Sequence, residues 1–291
     1  MTGPRFSLIL ATVGRTAELD RLFDSLAAQS LRDFEVIVVD QNRDDRLAPH
    51  LERARGLGVA IRHLRHHPPN LAAARNAGIA AASGDWLGFP DDDCWYAPEL
   101  LEQVARRARS GVEETAREEP AGIIVRWAEQ GEPRCAAPVL SWERSRAFRD
   151  VPVSSITLFF RRTMFERIGG FDARFGIGQW FGAAEETDFI LRALRAGMRI
   201  VYEPGARVHH HVAARGLSMD NETRLALRRR ARGTGALYAK HALPAWVILR
   251  GLAAPVLRPI LKGAFGPELA HGIAVTLGRL DGWLGWRRRA P

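Results

Sequence analysis

The fold of this chain is decided by the stretch Gly84-Asp85-Trp86-Leu87-Gly88-Phe89-Pro90-Asp91-Asp92-Asp93-Cys94-Trp95-Tyr96. Its short apolar run, Trp86 to Phe89, is typical of a buried strand. Three acids follow directly, and adjacent carboxylates repel one another, so they contribute nothing to folding by themselves. A hard cation such as Mg²⁺ or Mn²⁺ removes this conflict. The stretch therefore predicts a cation and ligand site at a strand tip of an α/β sheet, with a solvated acidic loop as the simpler alternative.

Length and composition describe an ordinary globular chain. Its 291 residues suffice for one large domain or for a domain with an appendage. Only two cysteines, Cys94 and Cys135, are present, so we expect a reducing compartment and no disulfide framework. The first residues lack a signal-peptide pattern, and no run of about 18 apolar residues occurs. We therefore expect a cytoplasmic protein without an ordinary transmembrane helix.

Positive charge is concentrated towards the C-terminus. Residues 1–200 contain 27 Lys and Arg against 28 Asp and Glu, whereas residues 201–291 contain 15 against 5, a net charge of +10. This bias predicts an anionic partner for the last third: a membrane surface, a phosphorylated ligand or a nucleic acid. Because lysine is nearly absent, a general arginine bias in the composition is the simpler alternative.

Strand and helix patterns alternate through the first third of the chain. Apolar runs predict strands at residues 6–12, 34–40, 60–64 and 86–89. Apolar residues at helical spacing predict helices at residues 16–28, 47–57 and 71–82, the last capped by Asn70. This order predicts an α/β fold with a mostly parallel, doubly wound central sheet flanked by helices. Asp40 and the triplet Asp91–Asp93 both follow strands, so they should share the carboxyl edge of that sheet.

The remaining elements are predicted from the same patterns. We expect helices at residues 98–109, 163–168 and 185–196, and strands at residues 123–127, 156–160, 199–202 and 207–211. Residues 111–120 are polar and acidic, which is typical of a loop or a frayed helix end. Residues 220–291 are expected to be mostly helical, and Pro255 and Pro259 argue against one continuous helix there.

Seven short motifs, in this order, give the chain a family resemblance. They are Ser7 to Arg15, Val38-Val39-Asp40, Asn70-Leu71-Ala72-Ala73-Ala74-Arg75-Asn76-Ala77-Gly78, Asp91-Asp92-Asp93, Ile168-Gly169-Gly170-Phe171-Asp172, Glu185-Glu186-Thr187-Asp188, and Pro204 followed by Val208 and His209–His211. The set resembles family 2 glycosyltransferases with the GT-A fold, over roughly residues 6–212. The resemblance implies a Rossmann-like catalytic domain at residues 1–212, followed by a basic, helical region at residues 213–291.

The resemblance also implies a nucleotide-sugar donor, a divalent metal and an inverting transfer. The residues expected at the donor are Thr12, Arg15, Asp40, Arg75, Asp91 and Asp92, with Asp40 accepting the uracil N3–H of a UDP-sugar. Asp93 aligns with the metal ligand, and Asp91 completes an Asp-x-Asp spacing with it. A nucleoside diphosphate leaves poorly unless its growing charge is neutralised, which a bound metal achieves.

The acids at residues 185–188 contain the expected general base. The family usually has Glu-Asp here, with the second acid as the base, and this chain has Glu186 at that position. Glutamate keeps the chemistry but lengthens the side chain by one methylene, so Glu185 and Asp188 stay open as alternates. Capping of the helix by its acids is the structural alternative. The resemblance also places Trp180 and Asp172 on the acceptor side.

Three consecutive histidines follow the last predicted strand. On a strand, His209 and His211 share one face and His210 points to the other. Counting from Pro204 in the family pattern, His210 aligns with the histidine next to the metal. A mixed carboxylate and histidine site favours Mn²⁺ over Mg²⁺. Each of the three is also compatible with an ordinary surface histidine, and which one meets a metal stays open.

The C-terminal region combines tryptophans with basic residues. Trp246, Trp283 and Trp286 with the terminal Arg287-Arg288-Arg289 fit an anchor at the surface of an anionic membrane. A helical cap that packs on the catalytic domain, or a dimer interface, is the alternative. A membrane-surface enzyme at the inner face of the cell membrane would meet a lipid-linked acceptor.

The leading hypothesis is a metal-dependent, inverting glycosyltransferase of cell-surface polysaccharide synthesis. It would move a sugar from a nucleotide-sugar to a hydroxyl of a saccharide or polyprenyl-linked acceptor, as a monomer or an oligomer. A nucleotidyltransferase is less favoured because no glycine- and lysine-rich phosphate motif follows the first strand. The near-neutral residues 1–200 argue against a nucleic-acid binder. Glu186 in place of aspartate keeps open a transferase-like protein that binds the donor without turnover.

Overall fold

The computed structural model describes residues 5–109, 119–130, 139–148, 154–211 and 220–289. Cys135 and most of the predicted loop at residues 111–120 lie outside these ranges. So does the predicted boundary between residues 212 and 213. The division into two units therefore stays a prediction.

The described residues form one mixed sheet of eight strands in the order β3-β2-β1-β4-β7-β6-β8-β5. The strands are β1 Phe6–Thr12, β2 Phe34–Asp40, β3 Ile61–Arg65, β4 Trp86–Gly88, β5 Cys94–Tyr96, β6 Gly122–Trp127, β7 Leu158–Arg161 and β8 Ile200–His210. β1 pairs in parallel with both β2 and β4, and β2 pairs in parallel with β3. The predicted mostly parallel core of the sheet is confirmed.

Helices cover both faces of this sheet. They are α1 Ala17–Ala27, α2 Ala48–Gly56, α3 Leu71–Ala81, α4 Leu100–Arg109, α5 Trp142–Ser145, α6 Arg162–Ile168, α7 Glu185–Arg195, α8 Asn221–Lys240, α9 Ala245–Leu261 and α10 Pro267–Arg289. One core cluster joins the sheet to α1, α2 and α4, and a second joins its other face to α3, α6 and α7. The predicted layered α/β architecture is confirmed.

Helix α3 shows how the local sequence positions the site. The side chain of Asn70 accepts a hydrogen bond from the Ala73 backbone N–H, which satisfies a donor of the first turn. Small residues then let the helix lie close to the sheet: a Cβ at Gly78 would lie 2.4 Å from the Ile9 side chain. Arg75 is the one long side chain of this segment, and it is buried beneath the carboxyl edge.

Register brings the carboxyl ends of the parallel strands together. Thr12 at the end of β1 is paired with Asp40 at the end of β2. β4 lies on the other side of β1 and leads into the acid triplet. The expected shared edge for Asp40 and Asp91–Asp93 is therefore present.

Two strands differ from the prediction. The two strands predicted at residues 199–202 and 207–211 are one continuous strand, β8 Ile200–His210, whose pairing with β6 shifts register between Val125 and Arg126. The sequence also gave no sign of β5, which directly follows the acids and pairs Cys94 with His210 and Trp95 with His209. Three-residue strands have no detectable period, and their existence depends on the partner strand.

The C-terminal region forms three helices and not one, as predicted, but the breaks do not fall at the prolines, since α9 continues through Pro255 and Pro259. A proline removes the N–H that would bond the carbonyl four residues earlier, which for Pro255 is the carbonyl of Gly251. That carbonyl accepts a hydrogen bond from the guanidinium of Arg279 in α10. The Leu252 carbonyl beside it accepts one from Thr276, also in α10. The neighbouring helix thus satisfies backbone groups that an isolated helix would leave exposed.

The last three helices pack on one another and on the loop before α7 through glycines. A Cβ at Gly235 would lie 1.9 Å from the Arg279 carbonyl, and one at Gly282 would lie 1.9 Å from the Arg232 carbonyl, so only glycine allows these contacts. Trp286 is buried and stacks on Phe175 at 5.4 Å between ring centroids. The predicted role of Trp286 at a membrane surface is therefore wrong, and for this side chain the helical-cap alternative holds. None of the helices in the described part of the chain is long and apolar enough to cross a membrane.

Candidate active site

Asp92 is the best-held acid of the triplet. Its carboxylate accepts hydrogen bonds from the Thr12 hydroxyl at 2.7 Å and from the Arg15 guanidinium at 2.8 Å. Arg15 also donates to Asp93, so one guanidinium joins both acids. Arg15 follows Gly14, whose φ of +82° turns the chain back over the strand tips. This loop and the triplet together form one wall of the cleft.

The histidine nearest the acids is His210. Its Nε2 lies 2.9 Å from Oδ1 of Asp93. His209 and His211 lie on the other face of β8, where both rings pack against Trp95. His209 also pairs with Glu129 at 2.8 Å. Strand alternation therefore separates one histidine at the acids from two at the sheet edge.

Asp93 and His210 fit as two ligands of a divalent cation. Ligand atoms about 2.1 Å from an octahedral metal and at right angles to each other are about 3 Å apart. The Asp93 and His210 atoms are already at that spacing, 2.9 Å. No group of three or more potential metal ligands occurs among the residues that the structure describes. The remaining ligands of such an ion would have to be substrate oxygens and water, as is usual for Mg²⁺.

Asp91 contacts Arg75 and Ser155, and its predicted role at the donor and the metal stays a prediction. Its carboxylate accepts hydrogen bonds from the Arg75 guanidinium at 3.2 Å and from the Ser155 hydroxyl at 3.3 Å. It does not form a three-membered metal cluster with Asp93 and His210. Repulsion within the triplet is thus relieved by three separate partners, a buried arginine for Asp91, a loop arginine for Asp92, and a histidine for Asp93.

Asp40 is fully buried at the end of β2 and is surrounded by donors. One oxygen accepts from the backbone and side-chain amides of Asn42, both at 2.8 Å. The other lies 3.0 Å from His63 and 3.1 Å from Arg65. Four contacts use the carboxylate's ordinary accepting capacity, so a nucleobase N–H would have to share or displace one of them. His63 and Arg65 come from β3, and the sequence had not indicated either.

Arg75 joins the acid triplet to the acids of α7. Its guanidinium lies 3.1 Å from Glu185 and 3.3 Å from Glu186, in addition to the contact with Asp91. Arg75 is only 2% exposed. Three carboxyl groups thus surround the Arg75 guanidinium, and its predicted contact with the donor stays a prediction. The cluster of Arg75, Glu185, Glu186 and Asp91 is called the Arg75 cluster below.

The groups of the Arg75 cluster differ in how strongly the surroundings favour their charged forms. Burial, together with the charge of Glu186, raises the pKa of Glu185 to about 8, against the opposing effect of Arg75. Burial likewise raises the pKa of Asp91. The guanidinium is also desolvated, but the surrounding acids outweigh this and raise the pKa of Arg75. Near neutral pH, Glu185 is therefore mostly protonated while the arginine keeps its charge.

The first turn of α7 carries backbone strain. Ala184, its N-cap, has φ +88° and ψ 14°, a left-handed conformation that costs a residue with a Cβ about 1 kcal/mol or more. Helix α8 holds this turn, since Gly233 lies against the Ala183 carbonyl. Glu186 in the first turn benefits from the positive end of the helix dipole as an anion. Its side chain is 15% exposed, whereas that of Glu185 is 4% exposed.

Asp188 lies apart from the Arg75 cluster and is fully buried. Its oxygens contact Lys240 at 2.7 Å, His241 at 2.9 Å and Arg192 at 2.9 Å. Burial favours the neutral form of Asp188. The hydrogen bond from His241 and the charges of Lys240 and Arg192 outweigh this effect and lower the pKa of Asp188. A carboxylate enclosed by three donors cannot take a proton from an acceptor, which disfavours Asp188 as the base.

The two predicted acceptor-side residues contact the C-terminal helices. Asp172 bonds Arg174 and, at 2.7 Å, Lys240 of α8. Trp180 lies under the Arg232 guanidinium, 4.7 Å from its ring centroid, and against Gly285 of α10. The C-terminal helices thus hold both side chains, and their acceptor-side role stays a prediction. The sequence had not indicated Lys240 or His241, because their partners are distant along the chain.

The protonation of Glu185 gives a testable pH dependence. Its folded-state pKa of about 8 lies above the usual 4.5, so between these values the folded protein binds more protons than the unfolded chain. Stability should therefore fall as pH rises through this window. We expect Glu185→Gln to flatten this fall, measured as the midpoint of thermal unfolding at a series of pH values. Equal slopes for the two proteins would contradict a buried, protonated Glu185.

The N-terminal part of the chain matches a known family model. Residues 7–114, which include the strand tips and the acid triplet, match the model described as glycosyl transferase family 2. Over these residues the chain is similar to family 2 glycosyltransferases.

Curated proteins that are similar to this chain differ in how much of their length is matched. An uncharacterised glycosyltransferase of Haemophilus influenzae is 36% identical over 99 residues, which are 34% of this chain and 32% of that protein. YwdF of Bacillus subtilis, also an uncharacterised glycosyltransferase, is 28% identical over 82% of this chain and 85% of its own length. The first match therefore spans only about a third of its relative, whereas the second is nearly end to end.

Solved structures confirm the GT-A fold. The mannosyltransferase PcManGT from Pyrobaculum calidifontis, in complex with GDP-Man and Mn²⁺, has a TM-score of 0.66 at 18% identity over 96% of this chain and 87% of its own. S. aureus TarS 1–349, in complex with UDP-GlcNAc, has a TM-score of 0.59 at 15% identity over 96% and 92%. These likenesses extend through the C-terminal helices, where the sequence resemblance had ended.

Proposed function

We propose that the protein transfers a sugar from a nucleotide-sugar, with UDP as the favoured nucleotide, to an acceptor hydroxyl with inversion at the anomeric carbon. One observation carries the proposal. Arg75 contacts Asp91 of the acid triplet and Glu186 of α7, at 3.2 and 3.3 Å. A single buried guanidinium thereby links the carboxylates suited to the donor and its cation with the carboxylate suited to remove the acceptor proton.

The donor side is formed by the strand tips and the first loop. Thr12, Arg15 and Asp92 would orient the ribose and diphosphate, with Arg15 turning from the acids to the phosphates. Asp93 and His210 would hold a divalent cation, Mn²⁺ or Mg²⁺, which when bound neutralises the growing charge of the leaving diphosphate. Asp40, held by its four contacts, would border the nucleobase.

Glu186 is the proposed general base. The acceptor oxygen forms its bond to the anomeric carbon on the face opposite the nucleotide, and its proton passes to Glu186. The bond from the anomeric carbon to the phosphate oxygen breaks, and the nucleoside diphosphate leaves with the electron pair. Protonated Glu185 and Arg75 would keep the Glu186 side chain in position. Attack from the opposite face inverts the configuration.

The acceptor is proposed to be a saccharide or a polyprenyl-linked sugar in cell-surface polysaccharide synthesis. Trp180 and Asp172, which contact Arg232 and Lys240 of α8, are the residues proposed for the acceptor side. A peripheral position at the inner face of the cell membrane would bring a lipid-linked acceptor within reach. An oligomer is compatible with this proposal.

A thermal-shift panel tests the donor assignment. UDP, GDP, dTDP and ADP would each be added with and without Mn²⁺. A ligand at about 100 times its Kd stabilises the folded state by about 2.7 kcal/mol, which such an assay resolves. We expect a shift with UDP that needs Mn²⁺ and is lost in Asp93→Asn, whereas Asp20→Asn, at an exposed ion pair on α1, should keep it.

The nucleotide panel also separates the alternatives. A shift with GDP alone would keep the transferase and replace the nucleotide, since PcManGT was solved with GDP-Man and TarS with UDP-GlcNAc. A full shift without turnover on any acceptor would favour donor binding alone, an outcome that the ion pair between Glu186 and Arg75 makes physically reasonable. No shift with any nucleotide would overturn the donor site.

A further inference from the structure

The outer side of α9 exposes more large apolar side chains than any other described helix. Leu249 is 66% exposed and Leu261 84%, and Phe265, just beyond the helix, is 68% exposed. Trp246, Leu257 and Ile260 are each 40–50% exposed. We call these six residues the α9 face. Scattered single apolar residues are normal on a protein surface, but a contiguous set of this size calls for a partner.

Helical geometry places this set on one side of α9. At 100° per residue, Trp246, Leu249, Leu257, Ile260 and Leu261 fall within an arc of about 120°. Gly251, Leu252 and Pro255, which contact α10, lie on the opposite side of the helix. Among the described residues, α10 thus packs on the side of α9 that lies opposite Leu249, Leu257 and Leu261, and these three side chains stay largely exposed. Arg250 falls within the same arc, where it lies over the Trp246 ring and donates a hydrogen bond to the Ala147 carbonyl.

Charge beside the α9 face is positive. Arg258 and Lys262 are exposed at the end of the helix, and Arg287 and Arg288 are exposed at the end of α10. Residues 241–291 contain seven Lys and Arg and two acids, Glu268 and Asp281. Asp281 is neutralised by Arg228 at 2.7 Å. The potential around this region therefore favours an anionic surface.

We propose that the α9 face lies in the interface of an anionic membrane, with α9 parallel to the bilayer plane. An interfacial helix has an apolar side with tryptophan and leucine and basic residues near it, as α9 does. No helix among the described residues is both long and apolar enough to span a membrane. Membrane binding would bring the candidate active site to a lipid-linked acceptor, and in this respect the inference rests on the proposed function. It replaces the anchor expected from Trp286, which is buried.

A second copy of this chain is the competing occupant, and the charges argue against it. A twofold contact through the α9 face would bring two sets of the same basic residues, Arg258 and Lys262, towards each other. An anionic lipid surface has the opposite sign, and each basic residue near it contributes about 1 kcal/mol to binding.

Vesicle co-sedimentation of the full chain tests the proposal without donor or acceptor. The vesicles would contain phosphatidylcholine alone, or phosphatidylcholine with about 30% phosphatidylglycerol. We expect binding to the anionic vesicles that weakens with salt. Leu249→Ser/Leu257→Ser/Leu261→Ser should weaken partitioning more than about tenfold by removing apolar burial. Arg258→Gln/Lys262→Gln should reduce the salt-sensitive part.

The matched control is Leu57→Ser/Leu225→Ser, which removes exposed leucines from α8 and the end of α2 and should bind as wild type. Absence of wild-type binding, or equal binding by the triple variant, would overturn the proposal. A dimer in light scattering that the triple variant dissociates, without vesicle binding, would assign the α9 face to a second copy. The nucleotide panel on the same variants needs no membrane, so failure of the proposed function would be seen separately.

Discussion

Glu186→Gln is expected to lower the rate of transfer by about 10²–10⁴-fold, the usual contribution of a positioned general base. The amide cannot accept the proton of the attacking hydroxyl, yet it keeps the size of the side chain and a polar contact with Arg75. Hydrolysis of the donor, in which water replaces the acceptor, needs the same proton removal and can be measured before the acceptor is known. Nucleotide binding, measured by the thermal shift, should stay close to wild type.

Glu185→Gln is the matched control for this experiment. Because the pKa of Glu185 is about 8, the native side chain is mostly neutral near pH 7, and an amide imitates that state. We therefore expect Glu185→Gln to keep most of the activity. If Glu185→Gln is inactive and Glu186→Gln is active, the base has been assigned to the wrong neighbour. Asp188→Asn should lower stability, because it weakens the contacts with Lys240 and His241.

Arg75→Met is expected to lower the free energy of unfolding by about 3–5 kcal/mol, the usual cost of removing one partner from a buried ion pair. Methionine fills much of the space but leaves the carboxylates of Glu185, Glu186 and Asp91 without their shared cation. The loss should be smaller at low pH, because protonation removes the uncompensated charge. Urea unfolding at a neutral and an acidic pH measures both effects.

Arg53→Met is the control for Arg75→Met. Arg53 pairs with Asp24 at 2.6 Å, but both side chains are about half exposed, so the pair should contribute no more than about 1 kcal/mol. A loss below about 1 kcal/mol for Arg75→Met as well would mean that the Arg75 cluster is solvated, and the assignment of a protonated Glu185 would fail with it. Arg75→Lys should be intermediate, since an ammonium keeps the charge but cannot bridge three carboxylates.

Local sequence determined the elements that surround the site. The apolar runs of β1 and β2, the Asn70 cap of α3 and the acid triplet after β4 each depend on neighbours within one turn or one strand. Their physical causes are periodic burial, capping and strand termination, which a single sequence displays. For the same reason the parallel core of the sheet and its carboxyl edge were predictable.

Tertiary structure alone decided which charges meet. Arg75 and Glu185 are 110 positions apart, and His241 and Asp188 are 53 apart. No local pattern tells an arginine facing a nucleotide from one enclosed by three acids, or a catalytic aspartate from one held by a lysine and a histidine. The spacing of Asp91 and Asp93 predicted a shared metal, but their partners come from other elements.

In the C-terminal helices, too, some properties follow from the sequence and others only from the tertiary structure. Composition determined that this region is helical, basic and rich in tryptophan. Packing decided that Trp286 is buried against Phe175 and that Leu249 and Leu261 are exposed, because burial of an amphipathic helix depends on which neighbours cover it. Sequence periodicity reports that a helix has two faces, whereas only the positions of α8 and α10 determine which face of α9 is left to solvent.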